Sequence, residues 1–288
     1  MGKGNGDAQG RIWFVTGASS GFGRAVGRSV LASGGRLVAT ARDLAQLEAS
    51  FDSAVSEAYV IPLDVTDAAA AVDAIRATVE RFGRLDVVFN NAGYGHVGAV
   101  EELTDEEWRR QLEVNLFGVI NVTRAALPHM RKQRSGHLIQ MSSLNGVEPL
   151  VGGAYYSASK FAIEGFSEAL AGEVAHLGIK VTIVEPGPAR TRFLKEGSVK
   201  WARPIADYAE SVGKTRGMLQ ELDGKQPIDP ERAARALVEA VEKGRAPLRL
   251  PLGSLAVERI RGDLDARRAQ LDDWSAFASR ADFPLKSS

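Results

Sequence analysis

The segment Tyr155-Tyr156-Ser157-Ala158-Ser159-Lys160 sets two phenols close to one amine. If the segment is helical, positions four apart share a face. Tyr156 then meets Lys160, whereas Tyr155 diverges around the axis. An ammonium beside a phenol favours the phenolate and draws a pKa of about 10 toward the range of an acid–base catalyst. Alone, such a pair is equally a surface contact worth roughly a few tenths of a kcal/mol. Ser142 and Ser143 change that balance, because they end an apolar run that lies opposite the helix.

These residues need a scaffold, and the sequence predicts one. Short apolar runs at 11–16, 36–41, 58–63, 85–90, 137–142, 180–185 and 247–250 read as strands buried on both faces. Helical patterns separate them, at 22–33, 67–82, 104–134 and 154–177. The third opens with Thr104-Asp-Glu-Glu107, a capping box. Alternation of this kind predicts an α/β fold: a doubly wound, Rossmann-type parallel sheet of about seven strands with helices on both faces. Two segments depart from it, a Gly-, Pro- and charge-rich helical flap at 187–227 and an amphipathic helix at 254–274. Residues 1–10 read as a disordered leader, and 11–288 as a single domain.

In such a sheet the C-terminal ends of the strands share one crevice, where ligands bind. Topology alone therefore gathers Thr16–Gly23, Arg42-Asp43, Asp64-Val65, Asn91-Ala92-Gly93, Ser142–Gly146 and Pro186–Thr191. In the first turn, Gly17 and Gly21 let the backbone curl, and Gly23 lets the helix pack on the sheet. Amides at the helix start suit a pyrophosphate. "GASSG" also fits the nucleophile elbow of hydrolases, with Ser19 as nucleophile, but an elbow follows several strands and this turn follows the first. "SASK" lacks the companion motifs of penicillin-binding enzymes. His96, His129, His137 and His176 show no metal-ligand spacing and read as surface or packing residues. No metal site is expected.

Taken together, "TGASSGFG", "LDVT", "NNAG", "VNLFG", the serine pair, "YSASK" and "PGPART" resemble the short-chain dehydrogenase/reductase family, in its compact soluble branch. The likeness runs from Ile12 to about Leu250. It implies a catalytic set of Asn115, Ser143, Tyr156 and Lys160. Tyr156 would exchange a proton with a carbonyl or alcohol oxygen, and Ser143 would orient that oxygen. Lys160 would hold the nicotinamide ribose and lower the Tyr156 pKa, and Asn115 would anchor a relaying water. The resemblance further implies cofactor contacts from Gly17, Ser19, Ser20, Gly21, Phe22, Gly23, Arg42, Asp64, Val65, Asn91, Ala92, Gly93, Tyr156, Lys160, Pro186, Gly187 and Thr191. Phe22 and Gln140 depart from the usual isoleucine and asparagine, without touching a catalytic role.

At the end of the second strand an NAD-specific fold carries an acid. Here Ala41 stands there and Arg42 follows, so a guanidinium can grip a 2′-phosphate. NADP(H) is the expected cofactor, with NAD(H) possible. Tyr94, Ser143, Val147, Tyr156 and Phe193 are the expected substrate contacts, for a bulky and largely apolar carbonyl or alcohol. A cofactor-binding regulator without turnover is the alternative, and a serine hydrolase using Ser19 a weaker one. Thirty-six basic residues balance 36 acidic ones, which gives no electrostatic hold on nucleic acid or an anionic membrane. There is no cysteine, which excludes disulfides and thiolate metal sites. With no long apolar run, a cytoplasmic protein is expected. Helices 104–134 and 154–177 are those that relatives pair between subunits, so a homodimer or homotetramer is expected.

Overall fold

The computed structural model describes residues 10–51, 58–194 and 198–283. Most of the expected leader and residues 195–197 of the expected flap lie outside them.

Seven parallel strands form the central sheet. They are β1 (Ile12–Thr16), β2 (Arg36–Ala41), β3 (Ala58–Pro62), β4 (Val87–Asn90), β6 (Gly136–Met141), β7 (Ile179–Pro186) and β9 (Arg249–Leu252). Their order is β3-β2-β1-β4-β6-β7-β9, so the winding reverses between β1 and β4. A second, two-stranded parallel sheet joins β5 (Gly95–Val97) to β8 (Val199–Trp201).

Alternating side chains of each strand feed two cores. From β1, Trp13 and Val15 pack beneath α1 (Gly21–Ala32) and α8 (Pro230–Glu242), with Phe22, Val26, Leu237 and Val241. Ile12 and Phe14 face α3 (Ala68–Phe82), α5 (Gly118–Gln133) and α6 (Ala154–Val174), with Ile75, Val122, Met130 and Leu170. A strand buried on both faces needs an unbroken apolar run, as these have.

Local signals set the helix ends. Asp67 caps α3 by accepting from the amides of Ala69 and Ala70, and Gly83 ends it in the left-handed region at φ 76°. Thr104 and Glu107 form the capping box of α4 (Asp105–Leu112). The predicted 104–134 helix is not uniform. A π-helical turn, Glu113–Phe117, separates α4 from α5, with Gly118 N–H bonding back to the Glu113 carbonyl. Two further helices are α2 (Leu44–Ala49) and α7 (Lys214–Leu222), the latter within the expected flap. The last, α9, runs from Ser254 to Ala278. Among the described residues, no helix is long and apolar enough to cross a membrane, and no cluster of three or more metal-ligating side chains occurs.

Candidate active site

The turn after β1 is held from two sides. Gly17 and Gly21 take φ of 64° and 54°, which favours glycine. A Cβ on Gly23 would lie 2.5 Å from Asn91 Nδ2 and from the Gly17 carbonyl oxygen. The Asn91 amide donates to the carbonyls of Thr16 at 3.0 Å and Gly17 at 3.2 Å. The backbone N–H groups of Asn91 and Ala92 both donate to Thr16 Oγ1. Asn91 is therefore a brace for the turn, with its amide nitrogen already occupied. From the other side, Ser50 Oγ donates to the Ser19 carbonyl at 2.6 Å. Thr16 opens the glycine motif, but its bracing role, and Ser50 altogether, carry no sequence signal because a hydroxyl bonded to the backbone has no motif of its own.

Ser20 is the extended N-cap residue of α1. Its side chain makes no capping bond, and the first helical turn carries no acid. The amides there are left for an anion. Thr191, in the loop after β7, closes against the same place: a Cβ on Gly21 would meet it at 3.6 Å. Pro186 ends β7, and the Gly187 N–H donates to the Leu252 carbonyl at 3.1 Å.

Arg42 is exposed just past β2. Asp43, its neighbour, accepts from Gln46 N–H at 3.0 Å as the N-cap of α2, so its carboxylate serves the helix. Asp64 stands past β3, where one oxygen accepts from Thr66 and the other pairs with Arg110 of α4 at 3.1 Å. Partial burial pushes the Asp64 carboxyl up. The bonds from Thr66 and Arg110 outweigh it and hold the group below its ordinary value. Arg110 was not foreseen as a partner for Asp64. Val65 is buried, and its carbonyl accepts from Asn121 at 3.1 Å.

Tyr156, Lys160 and Ser143 come together as the helix-face argument requires. Lys160 Nζ lies 5.6 Å from the centre of the Tyr156 ring and donates to the Met141 carbonyl at 2.6 Å, which ties α6 to the end of β6. Tyr155 points elsewhere. Its ring stacks on Trp108 at 5.3 Å, and its hydroxyl donates to the Val100 carbonyl. Ser143 caps the turn Leu144–Gly146 through the Asn145 N–H, and it acts on the Tyr156 hydroxyl. Ser142 is buried against Gly146 and Glu164, away from the phenol.

The expected lowering of the Tyr156 pKa does not appear. Burial pushes the phenol up to about 12, opposed by Ser143, and burial draws Lys160 down to about 8. Desolvation dominates at both groups, and the ammonium donates to the Met141 carbonyl.

Asn115 sits in the π-helical turn, 1% exposed. Its Nδ2 donates to the Tyr94 carbonyl at 2.8 Å and to Ser159 Oγ at 3.2 Å, and its Oδ1 accepts from Tyr94 N–H at 3.0 Å. The side chain thus clamps the backbone that follows Gly93.

A cavity of about 80 Å³ opens beside Tyr156, lined among others by Gly95, His96, Asn145, Leu150, Phe193 and Leu219. Phe193 is at this wall, its ring 6.1 Å from that of Tyr156. Two expected substrate contacts are elsewhere. The Tyr94 ring packs edge-on to His96 with Lys200 over it, and the Val147 carbonyl accepts from Arg267 of α9. The Asn115 clamp turns Tyr94 away, and α9 covers Val147. His96 is a packing residue, 3% exposed against Tyr94, and it also lines the cavity. Burial holds its pKa below the ordinary value, aided by Lys200 and opposed by Glu107.

The profile of the short chain dehydrogenase family matches residues 11–200. The oxidoreductase BOA17 of Botryotinia fuckeliana is 37% identical over 266 residues, 92% of this chain and 96% of that protein. A 3-ketodihydrosphingosine reductase of Bacteroides thetaiotaomicron is 35% identical over 86% of this chain and 89% of its own length. A solved short-chain dehydrogenase from Streptomyces avermitilis superposes with a TM-score of 0.89 at 42% identity, covering 96% of this chain and all of that one. More distant folds were solved with NAD in a Burkholderia phymatum protein (TM-score 0.78, 23% identity, 97% and 99% covered) and with NADP in a metagenomic one (TM-score 0.67, 27% identity, 85% and 97% covered). With its reversed parallel sheet, its glycine turn and its paired tyrosine and lysine, this chain belongs to the short-chain dehydrogenase family of oxidoreductases.

Proposed function

We propose that this oxidoreductase uses NADP(H) to interconvert a bulky, largely apolar ketone or aldehyde with its alcohol. The observation that carries the reading is the meeting of Ser143 and Lys160 with Tyr156, whose ring lines an apolar cavity.

The residues present fit a dinucleotide. The glycine turn has Thr191 in van der Waals reach of Gly21, the α1 amides lack a capping side chain, and Arg42 is exposed where a 2′-phosphate would lie. Gly17, Ser19, Ser20, Gly21, Phe22 and Gly23 would hold the pyrophosphate. Asp64 and Val65 would hold the adenine, and Ala92, Gly93, Pro186, Gly187 and Thr191 the nicotinamide end. The cofactor, when bound, supplies or accepts the hydride. A neutral tyrosine at pH 7 is the acid that a reduction requires, and Tyr156 gives its phenolic proton to the developing alkoxide. Ser143 donates a hydrogen bond to the same oxygen. Lys160 stabilises the phenolate left behind, and Asn115 fixes the backbone on which the site rests.

The substrate class rests on Leu150, Phe193, Leu194, Val199 and Leu219 around the cavity. At about 80 Å³ the cavity would take the reacting end of such a substrate. A long-chain ketone fits this chemistry, as does the substrate class named for the Bacteroides relative. Purified protein is to be screened with NADPH and NADH against long-chain, aromatic and aliphatic ketones. Turnover of a long-chain ketone with NADPH is expected. Cofactor binding without turnover of any carbonyl or alcohol would favour the regulator reading.

A further inference from the structure

One turn after Lys160, α6 carries Glu164, and β7 carries Glu185. The two acids are 6% and 1% exposed. They meet beside Ser142, and Arg249 of β9 reaches in from the edge of the sheet. Arg249 Nε lies 3.4 Å from Glu164 Oε2 and 3.5 Å from Glu185 Oε1, while its Nη2 donates to Glu168 at 3.0 Å. Among the described residues, the charged groups facing the pair are Lys160 and Glu168 from α6 and Arg249 from β9.

Counted as two carboxylates, the pair is poorly satisfied. Both oxygens of Glu164 and Oε1 of Glu185 are buried without a hydrogen-bond donor. Two like charges in contact at low dielectric do not both ionise. A proton on one acid removes the repulsion and supplies the missing donor to the other. Burial pushes the Glu164 carboxyl up as well, but Arg249 and Lys160 both support its charge, whereas Glu185 has Arg249 and is disfavoured by Glu164.

We propose that Glu185 keeps its proton in the folded protein and donates it to Glu164, and that Glu164 stays ionised as the counter-charge of Lys160. Glu164 is then a positioning residue that acts through Lys160. That half rests on the role given to Lys160 above; the Glu185 half does not. Burial and the neighbouring Glu164 push the Glu185 carboxyl up to about 7. Burial draws Lys160 down to about 8, and Glu164 opposes it.

The sign of the stability effect follows. The Glu185 pKa is raised on folding, so stability is fully present below the ordinary value of 4.5 and is lost as pH rises through about 7. Glu185→Gln keeps the shape and the donor but cannot ionise. Its Tm should exceed the parent's by roughly a few degrees at about pH 8.5, and the gain should shrink toward about pH 5. A variant with no gain at the higher pH overturns the protonated Glu185.

The second arm reads Lys160 directly. In protein with 13C-labelled lysine side chains, the Lys160 resonance is assigned by its loss in Lys160→Arg, and its midpoint is followed against pH. Glu164→Gln should lower that midpoint by about 1 unit or more, a tenfold change in proton affinity. Should this variant fail to fold, Glu164→Asp withdraws the charge and should shift the midpoint the same way by less. An unmoved midpoint overturns the counter-charge. Neither arm uses turnover, so an error in the catalytic assignment would show separately, as an active Tyr156→Phe.

Discussion

Tyr155 and Tyr156 are adjacent in sequence and different in every contact. Tyr155 stacks on Trp108 and donates to a backbone carbonyl, while Tyr156 faces Ser143, Lys160 and the cavity. Removing the Tyr156 hydroxyl with Phe should lower kcat by roughly 10²–10⁴-fold with cofactor affinity retained. Tyr155→Phe should cost about 0.5–1.5 kcal/mol of stability and leave most of the rate. Steady-state kinetics of the two variants decide between them, and equal rates would refute the assignment. Arg42 allows an equally sharp test. One charge-assisted contact to a 2′-phosphate contributes about 1.5–3 kcal/mol, so kcat/KM should favour NADPH by roughly ten- to a hundredfold. Ala41→Asp with Arg42→Ala removes the attraction and adds repulsion, and should reverse the preference. Asp43 does not disturb this, since its carboxylate is engaged at the α2 N-cap. A parent that prefers NADH would sink the argument.

Among the elements, strand positions and helix ends were legible because they depend on neighbours in sequence. Apolar runs marked the strands of the large sheet, and Gly83, Gly178, Asp67 and Thr104 sit at the helix ends. What escaped depends on contacts distant in the chain. The β5–β8 pair joins three-residue strands about a hundred positions apart, too short to show a period. His137 illustrates the same limit. It reads as a surface or packing histidine and is the latter, 4% exposed on β6, but its partners are distant in sequence: it bonds Thr182 of β7 at 2.9 Å, while the Thr182 hydroxyl donates to the Pro247 carbonyl. Burial draws its pKa down to about 4. The depressed value makes the contribution full above the ordinary 6.5, and it is lost as pH falls toward about 4. That acid loss should reach about 3 kcal/mol. Urea unfolding at about pH 7 and about pH 4.5 should show a shallower acid loss in His137→Gln than in the parent. Equal slopes would show that His137 does not titrate on unfolding.

For the whole molecule, the exposed flanks of α5 and α6 matter most. Phe117, at the start of α5, is 46% exposed, and α6 shows solvent the small residues Ala158, Gly165, Ala169 and Gly172. Two copies meeting on this face would bring helices close without steric cost, so a symmetric dimer or tetramer is expected. Light scattering at micromolar concentration should return a multiple of 30.9 kDa, and Ala169→Arg should reduce that mass by blocking close approach. A monomer in the parent would point instead to α9, whose Arg267 lies over Phe161 of α6 and whose Arg259 pairs with Glu148.

The π-helical turn at Glu113–Phe117 fits one residue more than an α-helix would into the same rise. Each residue of a helix advances the azimuth by about 100°, so the insertion acts as a phase step between α4 and α5. Substitutions in this stretch alter one side chain at a time. Deleting Leu116 would close the step, and the two halves would rotate against each other by about one residue's turn. Either Asn115 leaves the Tyr94 backbone, or Val119, Val122 and Met130 leave the core. The length of this rod is therefore under a stricter constraint than its composition, and lineages of this chain should vary in letters here while conserving the count.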